Sequence, residues 1–188
     1  MKTYNDTTYA ILGILTTDCK TGYEIKQLID RSLNHFWKIS YGQIYPALKL
    51  IVDEGLAEVN NVENEGRPDK KEYHLTPKGF DVLKQWLDSP IEQLPNEKNE
   101  ILLKLFFGQY QSHERTISIL QSYLEKLEAR YLTYQGIEES ILVYKHKKQQ
   151  DDAAYWLFTL DYGKRVTHAA IEWCRETIKK CEEERNDV

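Results

Sequence analysis

Tyr41, Gln43, Tyr45 and Lys49 stand on one stretch, Ser40 to Glu54, interleaved with Ile44, Ala47, Leu48 and Ile51. The apolar set recurs at i, i+3, i+4 and i+7, the pattern of a helix with one buried stripe. The other side then carries two phenols, an ammonium and the bare backbone of Gly42, which suits contact with a polyanion. A glutamine can pair with adenine in bidentate fashion in a major groove, and a tyrosine edge can meet a phosphate or a thymine methyl. Ser40 and Gln43 also have capping-box spacing, which predicts a helix start with its amides turned toward phosphate. A blander reading stands beside this one. Gln43 then serves only the cap through Ser40, and Tyr45 packs under a neighbouring hairpin.

A second set of cations lies further on. Arg67 sits in the turn Asn64-Glu65-Gly66-Arg67-Pro68-Asp69, with Lys70 and Lys71 just after it. The flanking segments, Ala57–Glu63 and Lys70–Leu75, are predicted strands with Val59, Tyr73 and Leu75 pointing inward. A guanidinium on a tight Gly-Arg-Pro turn is suited to a narrow A·T-rich minor groove. Glu63, Glu65, Asp69 and Glu72 surround these cations, so a solvated hairpin is the competing reading. Tyr23, after Thr21-Gly22, is a candidate phosphate contact beside free helix amides, or else a core aromatic.

These side chains need elements to hold them. Asn5-Asp6 predicts the N-cap of a first helix carrying Ile11, Leu12, Ile14 and Leu15. Thr21 and Glu24 form a capping box for a second, whose core face is Ile25, Leu28, Ile29 and Leu33, closed by Phe36-Trp37. The third runs from about Tyr41 to Glu54 and stops at Gly55. Pro46 removes the bond to the Gly42 carbonyl, which predicts a distorted first turn. Thr76-Pro77 starts another helix, with Phe80, Leu83 and Leu87 as its apolar face. Three helices, a hairpin and a helix within residues 1–89 predict a winged helix-turn-helix DNA-binding domain.

Residues 90–99 are polar with two prolines and read as a linker. Over 100–188 the periodicity lengthens. Ile117, Leu120, Leu124, Leu127, Tyr131 and Tyr134 form a heptad-like seam. After a polar break at Lys147–Asp152, Leu157, Leu160, Ile171, Cys174, Ile178 and Cys181 form another, widened by Trp156 and Trp173. Two long seams with few partners in their own half predict a helical dimerisation domain and a homodimer. The expected class is mainly α (α+β).

The 188 residues are 29% charged and 41% hydrophobic, with no uncharged apolar run fit to span a bilayer. No apolar signal segment opens the sequence, and the odd, scattered Cys19, Cys174 and Cys181 suggest no disulfide framework, so a cytoplasmic location is expected. The formal net charge is −5, and residues 1–89 hold 11 Lys/Arg against 13 Asp/Glu. That argues against a non-specific nucleic-acid coat while leaving room for a local basic surface.

Enzymatic readings find little. The five histidines have no HxH or HExxH spacing, no cysteines have CxxC spacing, and there is no Gly-rich phosphate loop. Neither a catalytic centre, nor a metal, nor a cofactor is expected. Cys174 and Cys181, seven apart on one helix, suit buried packing. Aromatic residues make up 12% of the chain. Trp37, Phe106, Phe107, Tyr155, Trp156 and Phe158 are candidates to line a pocket between the domains for a flat aromatic effector, or else are core and dimer interface.

Ala10-Ile11-Leu12-Gly13, Thr21-Gly22-Tyr23-Glu24-Ile25, Gln43-Ile44-Tyr45-Pro46-Ala47-Leu48, Glu54-Gly55-Leu56 and Tyr73-His74-Leu75-Thr76-Pro77-Lys78-Gly79 together resemble the PadR family of bacterial transcriptional regulators. Phe36-Trp37 fits the same pattern. The motifs cover residues 9–87, and the second half is similar in length and helical character to the longer members, including those that control phenolic acid decarboxylase genes. The resemblance implies a homodimer on a pseudo-palindromic operator in double-stranded DNA, usually a repressor released by a small aromatic or toxic compound. Two rival functions differ in kind: a winged-helix protein–protein adaptor, favoured by the acidic balance, and a small-molecule sequestering protein.

Overall fold

Capping chemistry sets most boundaries in a computed structural model that describes residues 3–62, 70–94, 98–148 and 152–186. The chain divides into two compact units, Met1–Leu94 and Pro95–Val188. In the first, Asn5 caps α1 (Asp6–Ile14), accepting from the Thr8 amide. Helix α2 (Gly22–Arg31) leads through a 3-10 turn at Leu33–His35 to α3 (Tyr41–Asp53). Strands β1 (Ala57–Val62) and β2 (Lys70–Leu75) pair antiparallel, with Ala57 opposite Leu75 and Val62 opposite Lys70. Thr76 caps α4 (Pro77–Leu87), with proline in the first turn. This is a winged helix-turn-helix.

One core joins these elements. Ile11, Leu12, Leu15, Ile25, Ile29, Ile44, Leu48, Ile51 and Leu56 are all fully buried within it. Gly55 stops α3 at φ +67, where a side chain would be strained. Helix α4 then crosses so close to β1 that a Cβ on Gly79 would lie 2.0 Å from the Leu56 carbonyl oxygen. That approach corrects the expected face of α4. The helix buries Gly79 and Leu83, packs the half-buried Val82 against the core and stacks Trp86 on Tyr9 at 4.8 Å. Phe80 and Leu87 lie about 80–100° around the helix from Gly79 and are exposed. Val59 is a second correction. It faces the same side as Tyr73, but burial fades beyond Ala57 in a two-stranded wing, and Val59 is exposed. Tyr73 is buried and Leu75 half-buried.

The second unit holds α5 (Glu100–Phe106), a 3-10 turn at Gly108–Tyr110, α6 (His113–Lys148) and α7 (Asp152–Asn186). Helices α6 and α7 form an antiparallel hairpin. Arg175 pairs with Glu128 at 2.6 Å, Lys164 with Glu138 at 2.6 Å, and Tyr144 meets Trp156 at 5.5 Å. Leu120, Leu127, Ile171 and Cys174 bury together with Ile101 of α5, and the Cys174 thiol donates to the Leu120 carbonyl at 3.3 Å. The two seams therefore cover each other within one chain. The expectation that they need a second chain for burial is overturned, because the antiparallel course of α6 and α7 brings complementary stripes face to face. Other apolar side chains of the two helices stay exposed, including Leu132, Val143, Phe158, Tyr162 and Val166.

Candidate nucleic-acid interface

The start of α2 is held by a reciprocal capping box. The Glu24 amide bonds Thr21 Oγ1 at 3.2 Å, and Glu24 Oε2 accepts from the amides of Thr21 and Lys20, both at 2.9 Å. Burial raises the Glu24 carboxyl's pKa, but those backbone bonds, the Thr21 hydroxyl and Lys70 outweigh it and hold the group below its ordinary value. The wing is pinned to the same place. Thr21 bridges Glu72, the Tyr73 amide donates to the Lys20 carbonyl at 2.7 Å, and Lys70 lies 3.7 Å from Glu24 and 3.2 Å from Glu72. Lys70 thus spends its charge on Glu24 and Glu72, whereas Lys71, the next residue along β2, is exposed and pairs with no described carboxylate.

Helix α3 buries Ile44, Ala47, Leu48 and Ile51 and turns Tyr41, Gln43, Tyr45 and Lys49 outward, as its periodicity requires. The Gln43 side chain reaches back, and its Oε1 accepts from Ser40 N at 2.9 Å and Ser40 Oγ at 2.8 Å. Ser40 and Gln43 thus form the reciprocal capping box that their spacing predicts, with the Ser40 side chain facing the Gln43 amide. Pro46 sits inside the helix, which continues through it.

The tyrosines each have a defined neighbour. The Tyr41 hydroxyl donates to Asp30, 2.8 and 2.9 Å from its two carboxylate oxygens, and Lys26 Nζ stands 4.0 Å from the ring centroid. The Asp30 bond, then slight burial and the Asp30 charge, raise the Tyr41 phenol's pKa. Tyr45 is 63% exposed, yet its ring lies over Gly22 so closely that a Cβ there would be 3.0 Å from it. It also borders Tyr73, whose phenol is pushed up by burial first and by Tyr45 second. Tyr23 is exposed and accepts from Gln27 Nε2 at 2.7 Å, which excludes the core-aromatic reading. Lys49 is exposed and pairs with no described carboxylate. Arg67 lies outside the described residues.

Tyr23, Tyr41, Gln43, Tyr45, Lys49, Lys70 and Lys71 are therefore brought onto α2, α3 and the adjoining strand β2. Sequence reading missed Asp30 and Lys26, which hold Tyr41. Their i, i+4 spacing on the polar side of α2 was the only signal available.

The candidate effector aromatics are not gathered in the same way. Trp37 lies in the first unit, between α2 and α3. Phe106 and Phe107 meet edge to face at the end of α5, and Tyr155 and Phe158 do so near the start of α7, where Trp156 meets Tyr144. Since α5 packs by the start of α6, the two groups stand at opposite ends of the hairpin, roughly 40 Å apart at 1.5 Å per residue. Among the described residues no group of three or more His, Cys, Asp or Glu is placed to hold a metal, and no helix is long and apolar enough to cross a membrane.

Comparison with known proteins matches this geometry. The transcriptional regulator PadR-like family model matches residues 11–85, and the virulence activator alpha C-terminal model matches residues 97–182. The negative transcriptional regulator PadR of Bacillus subtilis is 32% identical over 136 residues, 71% of this chain and 74% of that protein. Among solved structures, Bacillus subtilis PadR in complex with operator DNA superposes with a TM-score of 0.83 at 26% identity, covering 94% of this chain and 99% of that one. The same protein in complex with p-coumaric acid gives 0.76 at 27% identity, covering 93% and 98%.

Proposed function

This chain belongs to the PadR-like family of transcriptional regulators, and from that premise we propose that it is a homodimeric repressor of a pseudo-palindromic operator. The observation that carries the reading is α3. One side is locked into the core by Ile44, Leu48 and Ile51, while the other offers Tyr41, Gln43, Tyr45 and Lys49 to solvent. A helix so fixed enters a major groove without reorganising. Tyr23 and Lys71 flank it as backbone contacts, with Arg67, between the two strands in sequence, as a further candidate, whereas Lys70 acts more as a prop than as a grip. The operator complex of Bacillus subtilis PadR supports the same use of the fold.

Homodimerisation rests on apolar side chains that the α6–α7 hairpin leaves uncovered, including Leu132, Val143, Phe158, Tyr162 and Val166. In such a dimer the two α3 helices meet half-sites about 34 Å apart. Release is by a small aromatic or toxic compound, a reading supported by the p-coumaric acid complex of the Bacillus subtilis relative. Binding would shift the population toward dimers whose α3 helices no longer match both half-sites. The Phe106–Phe107 pair and, at the other end of the hairpin, the Tyr155–Trp156–Phe158 group are alternative candidate contacts for it. The site of action is the cytoplasm.

The test is retardation of DNA from upstream of the protein's own gene. The wild type should shift that fragment, and Lys49→Ala should weaken the shift without altering the oligomer seen by light scattering. A protein–protein adaptor predicts no shift with the wild type at all, and that result would overturn the proposal.

A further inference from the structure

The hydrogen-bond polarity of the α3 reading edge is already settled by intramolecular partners. A carboxylate only accepts, so the Tyr41 hydroxyl must donate its single proton to Asp30. What it turns outward is oxygen lone pairs. Gln43 is settled in the opposite sense. The Ser40 backbone amide only donates, so the Gln43 atom facing it is the carbonyl oxygen, and the Ser40 hydroxyl occupies that oxygen too. What Gln43 turns outward is its NH2 group.

We infer that this polarity is read in the major groove: Tyr41, held by Asp30, accepts from the exocyclic amine of an adenine or cytosine, and Gln43, held by Ser40, donates to a base acceptor. The inference rests on the DNA-binding reading of α3 given above. Phosphate oxygens are acceptors, so they cannot bond a phenol whose proton is committed, and the Asp30 carboxylate repels them from that spot. The groove's donors are adenine N6 and cytosine N4, and its acceptors are guanine N7 and O6, adenine N7 and thymine O4. Gln43 cannot bracket adenine bidentately while its oxygen serves the cap. Donation to Asp30 also polarises the Tyr41 oxygen and makes it the better acceptor. The Lys26 ammonium over the ring offsets the Asp30 charge. Asp30 is thus a specificity-positioning residue that need not touch DNA.

The experiment selects binding sites from a randomised duplex library with full-length wild type, Tyr41→Phe, Asp30→Asn and Gln43→Met, each checked for wild-type circular dichroism and melting. The wild type should enrich one site in which a base position favours adenine or cytosine by about three- to tenfold, the weight of one hydrogen bond. Tyr41→Phe should erase that preference while other positions persist. Asp30→Asn supplies a donor to the phenol oxygen, freeing its proton to point outward, so the same position should lose cytosine and admit guanine and thymine. Gln43→Met should relax a different position. An unchanged consensus with Tyr41→Phe and Asp30→Asn, or an equal loss of affinity for every sequence, overturns the polarity assignment alone. No enrichment by the wild type overturns the DNA-binding reading and the assignment with it.

Discussion

Replacing Gly79 by alanine tests the tightest contact of the winged unit. The added Cβ would stand 2.0 Å from the Leu56 carbonyl oxygen and 2.8 Å from Leu75 Cδ1. An ordinary carbon–oxygen contact is about 3.3 Å, so α4 must retreat by roughly 1.3 Å, because a backbone carbonyl cannot rotate aside. Retreat strains the Thr76 amide bond to the Leu56 carbonyl, now 3.0 Å, and the Tyr9–Trp86 stack. Overpacking costs about 1–3 kcal/mol and the hydrogen bond about 1, while alanine returns about 1 through helix propensity. The net expectation is a loss of about 1–3 kcal/mol. Gly13, in α1, has nothing within 4 Å of a built Cβ, so Gly13→Ala should instead stabilise by about 0.5–1 kcal/mol. Urea unfolding of both full-length variants, followed by tryptophan fluorescence, reads the two signs against the wild type. Equal shifts for the pair, or a Gly79→Ala midpoint at or above the wild type, would refute the contact argument.

Three further outcomes are expected. Glu24 titrates below its ordinary value, so its stabilising contribution is present above the unfolded-state pKa near 4.5 and is lost as pH falls through the lower folded value. Glu24→Gln should flatten stability against pH in that acid range, and an unchanged acid slope in urea titrations would count against the cap. Lys71→Ala should lower the salt slope of operator binding by about one per subunit, whereas Lys70→Ala should leave the slope nearly intact; equal slopes in anisotropy titrations would remove the distinction between grip and prop. Leu120→Ala empties a fully buried site beneath α7 and should cost about 2–5 kcal/mol, read as a lowered urea midpoint. A loss under 1 kcal/mol would mean that the hairpin seam is not packed as described.

Local signals were legible in the sequence, and partnerships over distance were not. The caps at Asn5, Thr21 and Thr76, the stop at Gly55 and the buried stripe of α3 each depend on residues within four or five positions. Gln43 stayed double-valued, because the same amide suits a cap and a base. Only the geometry shows its oxygen spent on Ser40. Asp30 lies eleven positions from Tyr41 across the turn between α2 and α3, and no periodicity links them. The misread face of α4 has a similar cause. Phe80 and Leu87 are the more apolar choice by type, but the helix rotates to where Gly79 permits approach. Periodicity identified both seams of α6 and α7 yet could not show that they cover one another.

The Cys174 thiol has a consequence for observing the hairpin at work. It is fully buried, donates to the Leu120 carbonyl, and has its pKa raised by burial first and by Glu128 second. A thiol in that state is inert to alkylating reagents until α7 lifts away from α6. Cys19 and Cys181 are partly exposed and should be modified early. The unmodified chain therefore carries its own stopwatch. The slow phase of thiol labelling counts openings of the helical hairpin, and a ligand that seals the hairpin would lengthen that phase.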